Sequence, residues 1–573
     1  MGTSLVRIRI LSIGIVLFAL VLSSKLYMVQ VVRGEMYSES AERQYYNPER
    51  NLSDRGNIYF TDKEGKLVSA ATQRVGFTLA INPSLLENAE DAYQKINSIL
   101  PIGYDNFIAR ASIENDPYEI IAKKVEEEKG LDIADFGIDG VYLHKDKWRI
   151  YPGDRLAAHV LGIVGYKGDE LAGRYGLESH YENILRRRNE NLYVNFFAEI
   201  FSNVNKAIVK HDDLEGNIVT SIEPNVEITL ERQLEKISEK WHSEITGGII
   251  MNPQTGEIYA MAVYPTFDPN AFQNEKTSDI FSNPIVENVY EMGSIIKPLT
   301  MAAGLDSGAV TADTFYEDTG FGILNNTRFS NYDGVGRGWV SMQEVLNQSL
   351  NTGVAFVVKK MGKEKFAEYM FNYGLGERTG IDLPNESSGL VENLHSPRDI
   401  EYANASFGQG IAMTPIATAR ALSALANGGI LPRPRVVSEI DYKIGFSKKL
   451  SAENSNRVLK KETAEEITRM LVEVVDTSLL EGTVKLDNYS VAAKTGTAQI
   501  PDKITKGYYD NRFLHSFFGY FPAYDPKFMV FLYTVNPIGA RYSSETLTHP
   551  FFDITDFLIN YYEIPPDRQE YNQ

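Results

Sequence analysis

Ser294 and Lys297 stand three residues apart in the tract Tyr290-Glu291-Met292-Gly293-Ser294-Ile295-Ile296-Lys297-Pro298. On a helix that spacing places a hydroxyl and an amine on one face. A serine hydroxyl is a weak nucleophile until an adjacent base takes its proton. Lysine can be that base when burial removes its charge. Pro298 is tolerated only in a first helical turn, so the helix must open close to Ser294. A helix N-terminus also favours negative charge developing on an attacking oxygen. Taken alone, the same pair fits an exposed lysine on a core helix.

Two further tracts change that weighting. Ser349-Leu350-Asn351 lies in a segment with helical apolar spacing, interrupted by polar residues. Lys494-Thr495-Gly496-Thr497 follows Tyr489-Ser490-Val491-Ala492-Ala493, which reads as a strand. Each has a plainer reading. Ser349 and Asn351 are good helix caps, and Lys494 to Gly496 could be an edge strand ending at a glycine turn. The ordered set Ser-x-x-Lys, Ser-x-Asn, Lys-Thr-Gly, however, is that of penicillin-interacting serine acyltransferases. Gly408-Gln409-Gly410 reads as a backbone turn and stands outside the predicted site.

The chain has 573 residues, too many for one hydrophobic core and enough for two or three domains. A formal net charge of −19 argues against a nucleic-acid partner, which needs a basic face. The chain has no cysteine, which removes disulfides, thiolate metal sites and cysteine nucleophiles together. Its histidines show no metalloprotease-type pairing. No metal and no cofactor are expected.

Arg7 and Arg9 precede an apolar run from Ile10 to Val32, interrupted by Lys25 and closed by Arg33. At about 1.5 Å per residue the run can cross a hydrocarbon core. Lys25 can snorkel to the interface, and the leading arginines predict a cytoplasmic N-terminus. A cleaved signal peptide competes with this reading, but no small-x-small site follows Leu22. The expected layout is a cytoplasmic tail (1–9), a transmembrane helix (10–32), an α+β domain (33–235) and a catalytic domain (236–573), both domains outside the cytoplasm.

Local patterns fill in the elements. A polar helical stretch is expected from about Gly34 to Tyr46. Ser53 to Val68 reads as a hairpin turning at Asp62-Lys63-Glu64-Gly65. Asn82-Pro83 predicts an amphipathic helix reaching Leu100, and Pro117 predicts another running to Gly130. The arginines after Leu185 read as a solvated helix end followed by strands. A helix from Pro224 toward Trp241, a hairpin across Pro253-Gln254-Thr255-Gly256, a strand at Met529–Tyr533 and a last helix near Asp553–Tyr562 complete the pattern.

With these residues in view, the chain resembles the class B penicillin-binding proteins, monofunctional peptidoglycan transpeptidases. Arg55-Gly56-Asn57-Ile58, Arg149-Ile150-Tyr151-Pro152, His159-Val160-Leu161-Gly162 and Gly176-Leu177-Glu178 look like blocks of that family's N-terminal module. Phe267-Asp268-Pro269-Asn270, Gly408-Gln409-Gly410, Thr414-Pro415 and His515-Ser516-Phe517 look like blocks of its catalytic domain. Met292 departs from the usual proline before Gly-Ser, and Ala493 from the usual glycine before Lys-Thr-Gly. The segment after Leu185 lacks the usual glycines.

The resemblance implies an α+β protein with an N-terminal transmembrane helix, an elongated pedestal of the dimerisation type, and a serine β-lactamase-like transpeptidase domain with an antiparallel sheet flanked by helices. It implies attack by Ser294 on the D-Ala-D-Ala end of a peptidoglycan stem peptide. Lys297 would take the proton, Ser349 would relay it with support from Lys494, and Asn351 would hold the substrate amide. The amides of Ser294 and Thr497 would form the oxyanion hole. Thr495, Gly496 and Thr497 would bind the substrate, the two threonines taking its carboxylate. β-Lactams would acylate the same serine. A multi-spanning SEDS-family glycan polymerase is the implied partner. Thr497-Ala498-Gln499 and Tyr508-Tyr509 look more like the septal, division type than the side-wall type. A D,D-carboxypeptidase, a β-lactamase, a β-lactam sensor and an inactive scaffold are the rivals. The long N-terminal module argues against the first two.

Overall fold

Apolar runs far apart in the sequence build one antiparallel sheet. Its strands are β1 (Ile245–Met251), β2 (Ile258–Tyr264), β3 (Ala492–Pro501), β4 (Tyr508–Phe521) and β5 (Phe528–Val535), in the order β3-β4-β5-β1-β2. Every residue of β5 is buried. Alternation sends Met529, Phe531 and Tyr533 into one hydrophobic cluster and Phe528, Val530 and Leu532 into another. Both faces are therefore covered, which is why β5 reads as a continuous apolar run. Helices α1 (Pro224–Trp241) and α5 (Thr548–Tyr561) supply one cover through Val226, Leu230, Phe551 and Leu558. The other cover contains α2 (Lys297–Asp306), whose residues from Lys297 to Gly304 are all buried. A helix apolar all round belongs in a core.

The chain is described here by a computed structural model. It covers residues 54–113, 116–168, 170–187, 215–451, 456–502, 505 and 507–568, with Leu17, Phe18, Leu20, Leu22 and Lys25. The predicted span from Ile10 to Val32 falls outside the described residues except at those five positions. Among the described residues no helix is long and apolar enough to cross a membrane. The stretch from Gly34 to Tyr46 and the segment beyond Arg187 likewise fall outside them. By internal packing one compact unit contains Gln73–Trp148, and the other contains Arg55–Thr72 and the chain from Arg149 onward.

In the larger unit the predicted hairpin is present. Strand Ile58–Thr61 pairs antiparallel with the strand beginning at Leu67. The turn is set by Gly65 at φ +80 and by Asp62, whose Oδ1 accepts from the backbone of Glu64 and Lys66. Three of the N-terminal sequence blocks meet at one buried carboxylate. Glu178 accepts from Arg55 Nε at 2.5 Å and from Arg149 Nε at 2.6 Å, and Tyr151 donates to it at 3.3 Å.

Two predicted helices of the smaller unit differ in the structure. Asn82 to Leu100 is not one helix. A 3-10 turn (Pro83–Leu85) capped by Asn82 is followed by a separate helix (Ala89–Ile99). Asn88 causes the break, because its side chain accepts from the N–H groups of Glu90 and Asp91 and starts the helix afresh. Pro117 to Gly130 is mostly not helix either. Glu119–Glu126 is a strand paired with Gly76–Ile81, and helix begins only at Glu127. Pairing with a strand about forty residues away overrides the local preference of its glutamate and lysine residues for helix.

Glu227 and Glu231 lie one turn apart on α1. Glu227 is fully buried and accepts from the Met261 N–H at 2.8 Å, while Glu231 accepts from the Ala157 N–H at 2.8 Å. Burial, and then Glu231, pushes the Glu227 carboxyl well above the usual range, and burial raises Glu231 to about 7. Such acids hold protons in the fold that the unfolded chain has already released. Stability must then fall as pH rises from the ordinary carboxyl range through neutrality. Glu227→Gln keeps the acceptor oxygen and removes the charge. We expect it to melt a few degrees above the wild type near pH 8 and to lose that advantage near pH 4.5. Thermal melts across this range test it, and parallel pH profiles for the two proteins would contradict it.

Candidate active site

The serine tract begins as a 3-10 turn, Gly293–Ile296, and α2 opens at Lys297 with Pro298 in its first turn, as its sequence requires. The turn is pressed backbone to backbone against β3. Gly293 has φ +64, and a Cβ there would lie 2.6 Å from the Thr497 carbonyl oxygen. A Cβ on Gly496 would lie 2.7 Å from the Met292 carbonyl oxygen. Ser516 Oγ on β4 donates to that carbonyl at 2.8 Å, and the Gly293 N–H donates to the Gly408 carbonyl at 3.1 Å. Met292, which departs from the usual proline, is wholly buried.

Lys297 is 1% exposed. Its Nζ donates to the Ser349 carbonyl at 2.5 Å and to Ser349 Oγ at 3.1 Å. Burial first, and then the charge of Lys494, drives its pKa well below the ordinary lysine range. Lys494 on β3 is 3% exposed, and burial brings it down to about 8. Its Nζ donates to the Thr495 carbonyl at 3.3 Å. Among the described residues neither ammonium has an acidic partner. Ser294 lines the cleft half-buried, and no described side chain hydrogen-bonds its hydroxyl.

Ser349 does not sit inside a helix, as its sequence spacing had suggested. It occupies a break between α3 (Met342–Asn347) and α4 (Asn351–Met361), with φ +56. That left-handed conformation presents both its carbonyl and its hydroxyl to Lys297. Asn351 opens α4 and donates from Nδ2 to the Ser330 carbonyl at 2.8 Å.

A cleft of about 850 Å³ collects Ser294, Ser349, Asn351, Lys494, Thr495 and Thr497. It does not include Gly496. That residue is buried and serves the close approach of the serine turn. Thr497 Oγ1 accepts from the Ser543 N–H at 3.1 Å. β3 is an edge of its sheet, so every second backbone amide points away from β4. Sequence reasoning missed several cleft residues, including Gln409, Asn331, Arg541 and Tyr542. Gln409 was within reach. Its flanking glycines have φ +82 and +73 and form the expected turn, and that turn holds the serine tract.

Two serine hydroxyls in one cleft beside an edge strand, with a buried amine bonded to the second of them, define a serine acyltransferase site. Residues 246–554 match the penicillin binding protein transpeptidase domain, and residues 50–219 match the penicillin-binding protein dimerisation domain. The chain belongs to the penicillin-binding protein transpeptidase family. Stage V sporulation protein D of Bacillus subtilis is 31% identical, across 94% of this chain and 83% of that protein. The probable peptidoglycan D,D-transpeptidase PenA of Neisseria gonorrhoeae is 25% identical, across 94% of this chain and 89% of its own length. Penicillin binding protein 2X from Streptococcus thermophilus shares the fold at a TM-score of 0.73 and 21% identity, across 90% of this chain and 80% of that one. Penicillin binding protein 3 from Mycobacterium tuberculosis, solved with aztreonam, does so at 0.69 and 20%, across 90% and 98%.

Gly293→Ala brings a left-handed residue, costing at least about 1–2 kcal/mol, together with a clash against the Thr497 carbonyl. We expect a lower melting temperature and a collapse of labelling by fluorescent penicillin. An alanine variant that melts and labels like the wild type would show that the turn tolerates a Cβ.

Proposed function

We propose that the chain is a peptidoglycan D,D-transpeptidase in which Ser294 carries the acyl group and Lys297 is the base. The observation that carries this reading is the buried Lys297 amine, without a counter-ion among the described residues and aimed at both oxygens of Ser349. Neutral Lys297 takes the Ser294 proton as the hydroxyl attacks the penultimate D-alanine carbonyl of a stem peptide. Amides of Ser294 and Thr497 take the developing oxyanion, at about 3 kcal/mol per donor in comparable sites. Ser349 passes a proton to the departing D-alanine, with Lys494 as the nearby cation. Thr495 and Thr497 take the terminal carboxylate and Asn351 the substrate amide. An amine from a second stem peptide then attacks the acyl-enzyme, releases Ser294 and forms the crosslink. A β-lactam acylates Ser294 in the same way and stays.

The anchor belongs to this proposal too. Residues 10–32 hold the protein in the cell membrane, with 1–9 in the cytoplasm and the pedestal (33–235) and transpeptidase domain (236–573) outside. The four large apolar residues described there, Leu17, Phe18, Leu20 and Leu22, are all exposed, which suits lipid contact. A SEDS-family polymerase is the proposed partner and the division septum the proposed place of action. Thr497-Ala498-Gln499 and Tyr508-Tyr509 support the septal choice. A fluorescent fusion concentrated along the side wall instead of midcell would overturn it.

Ser294→Ala is expected to abolish covalent labelling by fluorescent penicillin; labelling equal to the wild type would end the nucleophile assignment. The pH dependence has a definite sign. The base must be neutral, so acylation rises with pH through the lowered pKa of Lys297. It falls again above about 8 as Lys494 loses its charge. Stopped-flow acylation across pH checks both limbs.

A further inference from the structure

We propose that Asp318 and Asn331 are positioning residues for Ser349, acting through Thr352. The inference rests on reading Ser349 as the proton relay. Neither residue belongs to the three catalytic tracts, and both are buried, each 2% exposed. They lie on a pair of small hairpins. Strand Phe315–Asp318 pairs with Gly338–Ser341, and strand Phe321–Leu324 with Thr327–Ser330.

The Asp318 carboxylate is saturated by donors. Its Oδ1 accepts from Thr352 Oγ1 at 2.7 Å, the Gly320 N–H at 2.9 Å and Asn331 Nδ2 at 3.1 Å. Its Oδ2 accepts from Asn331 Nδ2 and from the Arg337 N–H, each at 3.0 Å. Asn331 is thereby oriented with its amide nitrogen toward the carboxylate and its carbonyl oxygen toward α4. That oxygen accepts from the Thr352 N–H at 3.2 Å and from Thr352 Oγ1 at 3.0 Å. The first amides of a helix have no partner inside it. Here one is satisfied by a side chain from another element, so the start of α4 is fixed by the hairpins.

The same hairpins hold the other side of Ser349. Arg337, paired with Asp333, donates from Nε to Gln348 Oε1 at 2.8 Å. Asn351 donates to the Ser330 carbonyl. Gln348, Asn351 and Thr352 are thus all tied to residues 318–337, and Ser349 is suspended between them. A non-glycine residue at φ +56 persists only when its surroundings over-determine it. Asp318, behind the cleft, and Asn331, on its wall, supply that constraint. Released from it, Ser349 relaxes to negative φ and its two oxygens leave Lys297.

The test uses the full chain and stopped-flow acylation by a fluorescent penicillin, separating the acylation rate constant from the non-covalent Kd. In Thr352→Val we expect the rate constant to fall by about tenfold or more while Kd stays within about twofold, as small misplacements of a catalytic group do. Thr352→Ser keeps the hydroxyl and is expected to react at about the wild-type rate. Asp318→Asn turns one acceptor into a donor facing donors, and is expected to slow acylation like Thr352→Val. A purely structural role gives a different signature: fewer labelled molecules and a lower melting temperature, with the folded remainder reacting at the wild-type rate. That result in both slow variants overturns the proposal, as does Thr352→Val at the wild-type rate or Thr352→Ser as slow as Thr352→Val. Ser349→Ala separates the two readings. If it acylates at the wild-type rate, the relay assignment fails. If it is slow while Thr352→Val is not, only the positioning role fails.

Discussion

Two amines are buried at one site, among the described residues no acid lies beside either, and the catalytic unit is organised around that constraint. Desolvation disfavours the charged form of each, and the charge of Lys494 further disfavours that of Lys297. The two are not equivalent. Lys297 lies deeper, on a helix buried along most of its length, and its pKa is driven down by burial and by Lys494 together. Lys494 sits on the edge strand and stays near 8. One low-dielectric pocket thus holds a base and a cation at the same pH. The asymmetry comes from where α2 and β3 sit.

Glycines bring those two elements close enough. At Gly293, Gly408 and Gly496 a methyl group would collide with backbone or side-chain atoms of the neighbouring tract. The serine turn, the Gly408 turn and β3 therefore meet as bare backbone. An exposed strand edge is normally a liability that proteins cover. Here part of the edge faces the serine turn, Ser543 holds the Thr497 side chain, and the rest is left open to the cleft. The same openness lets an extended peptide lie along β3 and pair with it as a further strand would.

Much of this was readable in the sequence, and what was not has a common cause. Ser294, Lys297, Ser349, Asn351, Lys494, Thr495 and Thr497 were legible because the chemistry dictates residue type and short-range spacing; the structure gathers six of them in one cleft and sets Lys297 behind it, bonded to Ser349. The hairpin at Gly65 and helix α1 were legible because turn glycines and apolar periodicity are local signals. The strand at Glu119–Glu126 was misread because its partner lies far away in sequence. Gly496 was assigned to the substrate because its motif is; the structure places it off the cleft wall, where a Cβ would meet Ser516 and the Met292 carbonyl. The left-handed Ser349 was hidden for the same reason. Its conformation is imposed by Asp318 and Asn331, more than fifteen residues earlier, and nothing in Ser-Leu-Asn announces it.

The buried charges of this chain separate by a simple physical criterion. Glu178 lies between Arg55 and Arg149, and burial, which raises its pKa, is outweighed by the two cations, so the carboxylate stays charged. Removing one partner of such a cluster strands the others without water, which makes it a fixed strut of the larger unit. Lys297 has the opposite surroundings: a like charge nearby, neutral oxygens as acceptors, and a proton it can give up. A buried charge with matched opposites cannot change state without breaking the fold. One that faces a like charge is already biased toward losing its proton, so it can take a proton during turnover and return it. The first kind holds the N-terminal blocks together, and the second lies beside the serine. Their chemistry divides along that line although both kinds are equally inaccessible to solvent.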